Sequence, residues 1–243
     1  MGSEMCIRDR YTACANGHDS TMQVLLNNGA EVNLCTETGV SPLYIACENG
    51  HDDTVKILLN NDADVNLCDK TGASPLFIAC QRGYDSIVQI LLNKGADVNS
   101  CEEKGVSPLF IACQNGHNST VQILLNKGAD TSLCQGTGAI PLFIACLNGH
   151  EKTVQLLLTN GVDVNLCTKE GESVLFIACI YGLDSAVQLL INNGADVNLC
   201  EEKGVSPLYT ACANGHDSTM QVLLNNGAEV NLCTETGASP LYI

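Results

Sequence analysis

Fifteen cysteines and five histidines are the side chains of this 243-residue sequence best suited to nucleophilic, redox or metal chemistry. Fourteen of the cysteines fall on two ladders with a spacing of 33 residues: Cys14, Cys47, Cys80, Cys113, Cys146, Cys179 and Cys212, then Cys35, Cys68, Cys101, Cys134, Cys167, Cys200 and Cys233. His18, His51, His117, His150 and His216 share one phase of the same period, each directly after a glycine, and Tyr84 and Leu183 hold that place in two further repeats. General acid–base or nucleophilic catalysis needs unlike groups converging on one point, whereas periodic copies place like groups a repeat apart. A zinc site needs four ligands within about 2.3 Å of one ion, usually with close spacings such as CxxC, and neither ladder supplies them. No triad, carboxylate pair, GxxxxGK[ST] or strand-linked GxGxxG stands out. The sequence therefore predicts no enzyme active site, no metal and no cofactor.

The thiols are expected to be reduced. Stacked repeats sit about 8–10 Å apart, while a disulfide needs Cα atoms roughly 4.4–6.8 Å apart, so equivalent cysteines do not pair along their own ladder. Cys47 and its equivalents are expected inside as small hydrophobes; Cys68 and its equivalents, near an exposed turn, form the only ladder expected to react.

The elements that position these residues follow from the same period. All but two of the 22 glycines occupy three phases, represented by Gly39, Gly50 and Gly29, so backbone geometry repeats along with composition. Fixed-period self-similarity means each unit buries its apolar face only against its neighbours, as in a solenoid. In residues 38–70, Ser41 suits an N-cap and Pro42 the first helical position. Leu43, Ala46, Cys47 and Gly50 then follow at i, i+3, i+4 and i+7, which predicts a short helix ending at Gly50. Val55, Leu58 and Leu59 predict a second helix from about Asp52 to Asn61, with two aspartates at its positive end. Val65, Leu67 and Thr71-Gly72 suit an extended hairpin with a glycine turn.

Ser41-Pro42-Leu43-Tyr44-Ile45-Ala46-Cys47, Gly50-His51 and Leu58-Leu59 through Asn66 resemble the TPLHxAA, GH and LLxxGAxVN signature of the ankyrin repeat family. The resemblance covers residues 11–243: a partial repeat 11–37, intact repeats 38–70, 71–103, 104–136, 137–169, 170–202 and 203–235, and a partial repeat 236–243. It implies a mostly helical α-solenoid in which each helix-turn-helix pair is followed by a β-hairpin or loop. The chain departs from the family pattern by carrying an aromatic where histidine is usual, at Tyr11, Tyr44, Phe77, Phe110, Phe143, Phe176, Tyr209 and Tyr242, expected to form a packed ladder. Asp62 replaces a helix-ending glycine, Ile140 the capping serine, Val174 the proline and Thr131-Ser132 the usual Val-Asn, and local stability is expected to dip by roughly 1 kcal/mol per lost cap.

Met5-Cys6-Ile7-Arg8-Asp9 looks like an in-frame translation of a transposon-derived sequencing adapter, so residues 1–10 are read as lying outside the fold. Residues 11–45 return as 209–243 with one change, Val40 against Ala238, which suggests recent duplication or an assembly joined within near-identical repeats. A longer protein is expected. Eleven basic against 27 acidic residues give a formal charge of −16, which repels phosphate backbones and anionic membranes. Nucleic acid is excluded as a partner, and no run of about 18 apolar residues exists to cross a bilayer within this segment. The expected setting is cytoplasmic, and the segment is expected to be monomeric.

The remaining function is recognition. The resemblance implies a non-catalytic protein–protein interaction scaffold that binds through its concave helix face and hairpin tips. The alternative is a regulatory or targeting segment of a larger enzyme, channel or receptor. Against near-identical repeats, Glu48, Gln81, Arg82, Gln114, Leu147, Ile180 and Tyr181 vary where neighbours carry Ala-Asn or Gln-Asn; with Leu183 they are the candidate partner-binding residues. Leu147, Ile180, Tyr181 and Leu183 would make an apolar patch with an aromatic anchor, although drift and ordinary packing also produce such variation. Glu102-Glu103-Lys104 and Glu201-Glu202-Lys203 would steer a basic protein partner, against the simpler reading of a solvated edge. Asn33, Asn66, Asn99, Asn165, Asn198 and Asn231 match the family position that asparaginyl hydroxylases can modify, with Ser132 breaking the series. A hydrogen bond holding the hairpin is the structural role expected of them.

Overall fold

Proline at the first helical position and serine just before it start every first helix but two, and the backbone follows. In the computed structural model, which describes residues 10–133, 138–168 and 170–240, the first helices are Pro42–Asn49, Pro75–Arg82, Pro108–Gln114, Pro141–Leu147, Val174–Ile180 and Pro207–Ala213. The second helices are Asp19–Asn27, Asp52–Asn60, Asp85–Asn93, Asn118–Asn126, Glu151–Thr159, Asp184–Asn192 and Asp217–Asn225, and residues 10–15 are helical as well. Cys6, Cys134, Tyr242 and the adapter-like residues 5–9 lie outside the described residues.

The chain divides into two compact units, one of Met1–Ala112 with His117–Gly136, the other of Cys113–Gly116 with Thr137–Ile243. Within the first, helix 42–49 packs on 75–82, and helices 19–27, 52–60, 85–93 and 118–126 pack in succession. Within the second, 141–147, 174–180 and 207–213 form one row, and 151–159, 184–192 and 217–225 the other. Each unit is therefore a two-row helical solenoid. Its core is the layer between the rows: in repeat 38–70 Leu43, Ala46, Cys47, Val55 and Leu58 are at most 1% exposed. Burying each leucine stabilises by about 1.5–3 kcal/mol, while Ala46 and Cys47 keep the contact narrow enough for the helices to close on each other.

Caps behave as their side chains dictate. Ser41, Ser74, Ser107, Ser173 and Ser206 each accept, through Oγ, the backbone N–H of the aromatic three residues on, at 3.0–3.1 Å. Val174 removes the proline but leaves Ser173 capping, whereas Ile140 makes no side-chain cap bond. Asp62 takes φ +63°, the only described non-glycine residue with positive φ, at the turn where the other repeats have glycine. Of the aromatics at that phase, Phe110, Phe143 and Phe176 are buried, Tyr44, Phe77 and Tyr209 half-buried, and Tyr11, against expectation, exposed.

The connecting segments are turns rather than paired strands: among the described residues the only bridge is Cys167 to Ser173. Asp69 N–H donates to the Ala73 carbonyl at 3.0 Å, but Asp69 Oδ1 itself accepts from the N–H groups of Thr71 and Ala73 at 2.8 and 3.0 Å. Glu102 and Glu201 do the same through Oε1, and the donors a ladder would use are spent inside each turn. Single backbone bonds link neighbouring tips, Lys70 N–H to Thr38 O at 3.1 Å in the first unit and Glu235 N–H to Lys203 O at 3.0 Å in the second.

Ile140→Ser restores the missing cap acceptor and Asp62→Gly relieves the left-handed backbone, so each should raise the unfolding free energy by about 1 kcal/mol, with the two adding. Urea denaturation of the single and double variants checks this.

Candidate functional site

Each first helix that ends at a left-handed glycine turns its last carbonyls toward the next repeat, and the histidine phase of that repeat meets them. His51 Nε2 lies 2.9 Å from the Ala15 carbonyl, His117 3.1 Å from that of Gln81, His150 3.0 Å from that of Gln114 and His216 3.0 Å from that of Ile180. A carbonyl only accepts, so Nε2 carries the proton in each. The rings lie against the preceding glycine: a Cβ built on Gly17, Gly83, Gly116 or Gly182 would fall 2.6–2.7 Å from Nδ1 of the covering histidine. Tyr84 covers Gly50 in the same way, its Cζ 2.9 Å from such a Cβ. Four of the five histidines are thus committed to packing between repeats, and His18 is exposed. Leu183 is the exception, with nothing within 4 Å of a Cβ on Gly149.

The candidate partner residues fall in two groups. In the first unit Glu48 and Arg82 pair across repeats at 2.9 Å, and both are partly exposed, so the pair is worth at most about 1 kcal/mol. Gln81 is exposed beside Arg82. Gln114, in the second unit, is exposed and gives its carbonyl to His150. Also in the second unit, Leu147 and Ile180 end two first helices that pack on each other and so stand at equivalent points one repeat apart. Leu147 is 37% exposed and Tyr181, directly after Ile180, 59%. Leu183 is half-buried at the N-cap of helix 184–192. A shallow groove of about 360 Å³ lies on the other row of that unit, between Glu151, Lys152 and Gln155 on one helix and Ser185, Gln188, Leu189 and Asn192 on the next.

The hairpin asparagines bracket neighbouring repeats. Asn33, Asn66, Asn99, Asn165 and Asn198 accept through Oδ1 the backbone N–H of the residue 31 positions on, at 2.8–2.9 Å. Four of them also donate through Nδ2 to a carbonyl of that next repeat, at 3.4–3.5 Å. Asn231 is exposed. Ser132 turns its Oγ back on Asp130 at 2.6 Å, and that bond with the Ser132 N–H holds the Asp130 carboxyl below its ordinary range. A second set of brackets lies deeper: Thr54 and Thr120, fully buried, donate to Asp19 and Asp85 of the preceding repeat at 2.5 Å, and Thr219 donates to Asp184. Sequence reading missed these. Their trace is a threonine recurring at the third position of the second helices, at 21, 54, 120, 153 and 219.

The thirteen described cysteines are free. Burial pushes Cys14, Cys146 and Cys179 up to about 12, and also holds Cys47, Cys80 and Cys113 well above the ordinary thiol range. Cys35, Cys68, Cys167 and Cys200, near the turns, are also raised by partial burial, and each sits 3.3–3.5 Å from the asparagine carbonyl two residues before it. They are accessible thiols with no nearby cation to favour the thiolate. Among the described residues no group of His, Cys, Asp or Glu could hold a metal ion, and no helix is long and apolar enough to cross a membrane.

Paired short helices, glycine-turned ends and asparagine brackets define the class, and comparison with known proteins agrees. A family model described as "Ankyrin repeats (3 copies)" matches residues 11–101, 94–166 and 142–234, and the chain belongs to that family. Among solved structures, the human ASB11 ankyrin repeat domain is similar at 31% identity and a TM-score of 0.79, over 90% of this chain and 98% of that one. A search of curated protein sequences found no match. Ankyrin repeats are in general protein–protein interaction modules and typically non-catalytic.

The buried thiols make stability depend on base. A thiol whose folded pKa is raised stays protonated in the fold while it ionises in the unfolded chain, so its full contribution is present below about pH 9 and declines as pH climbs toward 12. Unfolding free energy, measured in urea from pH 8 to 11, should fall steeply above 9. Cys47→Ala with Cys80→Ala should flatten that fall by up to roughly 1.4 kcal/mol per pH unit for each thiol removed. Parallel pH profiles for variant and parent would exclude the thiols as the cause.

Proposed function

We propose that this chain is a non-catalytic scaffold that binds a protein partner through the first-helix ends and hairpin tips, with Leu147, Ile180 and Tyr181 as its apolar anchors. The observation that carries the reading is an exposed leucine and an exposed tyrosine at the ends of two adjacent packed helices, among described residues whose other large apolar side chains are mostly buried. Aromatic side chains set in partly apolar surroundings are where binding energy concentrates, and total area matters less. Glu48, Gln81, Arg82 and Gln114 supply polar contacts around them.

The partner is a basic protein. Glu103, Glu170 and Glu202 stand exposed at the tips, while Glu102 and Glu201 are held by their own turns. The exposed carboxylates therefore carry the steering field. Free thiols among the described residues, and an acidic composition that repels anionic membranes, favour a cytoplasmic setting.

Tyr181→Ala and Ile180→Ser should each weaken a captured partner at least tenfold, mostly through faster dissociation, in surface plasmon resonance with the variants' melting temperatures unchanged. The association rate should fall as salt rises from 50 to 500 mM. Unchanged affinity for both variants would remove the patch as an anchor, and a salt-independent rate would remove the steering.

A further inference from the structure

The rings over the repeat glycines describe a site that one repeat leaves open. Gly17, Gly50, Gly83, Gly116 and Gly182 are half-buried beneath a histidine or tyrosine of the following repeat. Gly149 has the same left-handed backbone, φ +70°, yet is exposed, although the repeat that should cover it is present and packed. The covering position is Leu183, which has no ring nitrogen to offer the Leu147 carbonyl, the counterpart of the carbonyls of Ala15, Gln81, Gln114 and Ile180. Gly215 is uncovered too, but its counterpart would be residue 249, beyond the sequence. What remains over Gly149 is an open notch with a bare glycine as its floor and the Leu147 carbonyl two residues before it; Leu183 holds the covering position, and exposed Tyr181 stands two residues before Leu183.

The chain itself shows what fits such a place. Four of the five covering rings are imidazoles, each flat against glycine with Nε2–H on the carbonyl. Charge sets the surroundings of the open place over Gly149: residues 137–240 carry eleven acidic and three basic side chains, and exposed Glu151 and Asp184 stand two and one residues after Gly149 and Leu183. We propose that the notch over Gly149 receives a histidine side chain of the protein partner, its ring on the glycine, its Nε2 proton on the Leu147 carbonyl, and basic residues flanking it. This deepens the scaffold reading above and rests on it. Tyr181, exposed at the rim, packs against the inserted segment, and Leu183 supplies an apolar wall that the other repeats lack. The partner thus completes a contact that five other repeats make internally.

The test uses the full chain, labelled with 15N, titrated at about pH 8 with imidazole and with capped Lys-His-Lys against capped Lys-Ala-Lys. A ligand this small, making one ring contact and one hydrogen bond, is expected to saturate with a dissociation constant of roughly 10 mM, and the histidine peptide to bind more tightly than its alanine counterpart. The amides of Gly149 and Leu183 should shift saturably. Leu183→His, which fills the notch from within, should weaken the response at least tenfold, and Leu183→Ala, which keeps it open, should retain it. No saturable shift at Gly149 in the parent and in Leu183→Ala, or an equal shift in Leu183→His, overturns the proposal. The two readings separate on a captured partner: one that binds Leu183→His as tightly as the parent, but loses affinity with Tyr181→Ala, keeps the scaffold and overturns the histidine notch.

Discussion

Close contact between a ring and a glycine sets the register of one repeat on the next. The first helix ends where the backbone turns left-handed, which only glycine does without a penalty of roughly 1–2 kcal/mol, and the missing side chain lets the following repeat lay a ring there. At Gly182 the space a methyl group would need is already taken, 2.6 Å from His216 Nδ1. Such a contact has one geometry. A shift of the neighbouring repeat would either break the imidazole bond to the Ile180 carbonyl or drive the ring into the backbone. Buried leucines and valines provide most of the stabilising energy, but apolar packing alone is tolerant of sliding; the rings, the Thr–Asp pairs and the asparagine brackets are directional and remove that freedom.

How much of this is legible in sequence depends on range. Helix starts are local, so Ser41 and Pro42 announce them, and the weak places at Ile140 and Asp62 can be read as departures from a period. The buried state of Cys47 and five of its equivalents follows from helical spacing, and only Cys212 of that ladder is half-buried. Pairings between repeats are less accessible. Periodicity reveals that Thr54 and Asp19 recur, but their bond spans 35 residues and depends on which helix face meets the next, a fact of packing. The same holds for Glu48 with Arg82, which read as separate candidates for binding a partner and are paired with each other. Extended hairpins were expected from Val65 and Leu67, yet Asp69, Glu102 and Glu201 bend back on their own turns and take the donors a strand pair would need.

Function follows from what repetition leaves over. In a molecule whose side chains are mostly committed to a neighbouring copy, a residue that breaks the pattern exposes a group normally covered. Leu183 is such a residue. It replaces a ring that would seal Gly149, and it does so beside Leu147 and Tyr181, so a structural vacancy and an apolar surface coincide in the second unit. His51, His117, His150 and His216, for their part, are proton donors to fixed carbonyls, a structural reason for their recurrence at one phase.

The most direct measurement compares the unfolding free energies of Gly182→Ala and Gly149→Ala. Both positions have positive φ, +62° and +70°, so alanine meets a similar backbone penalty at each; only at Gly182 does the new methyl group also meet a ring. If ring-on-glycine contact fixes repeat register, Gly182→Ala should cost at least about 1 kcal/mol more than Gly149→Ala. Equal costs would contradict that account and leave register to the Thr–Asp pairs, the asparagine brackets and apolar burial.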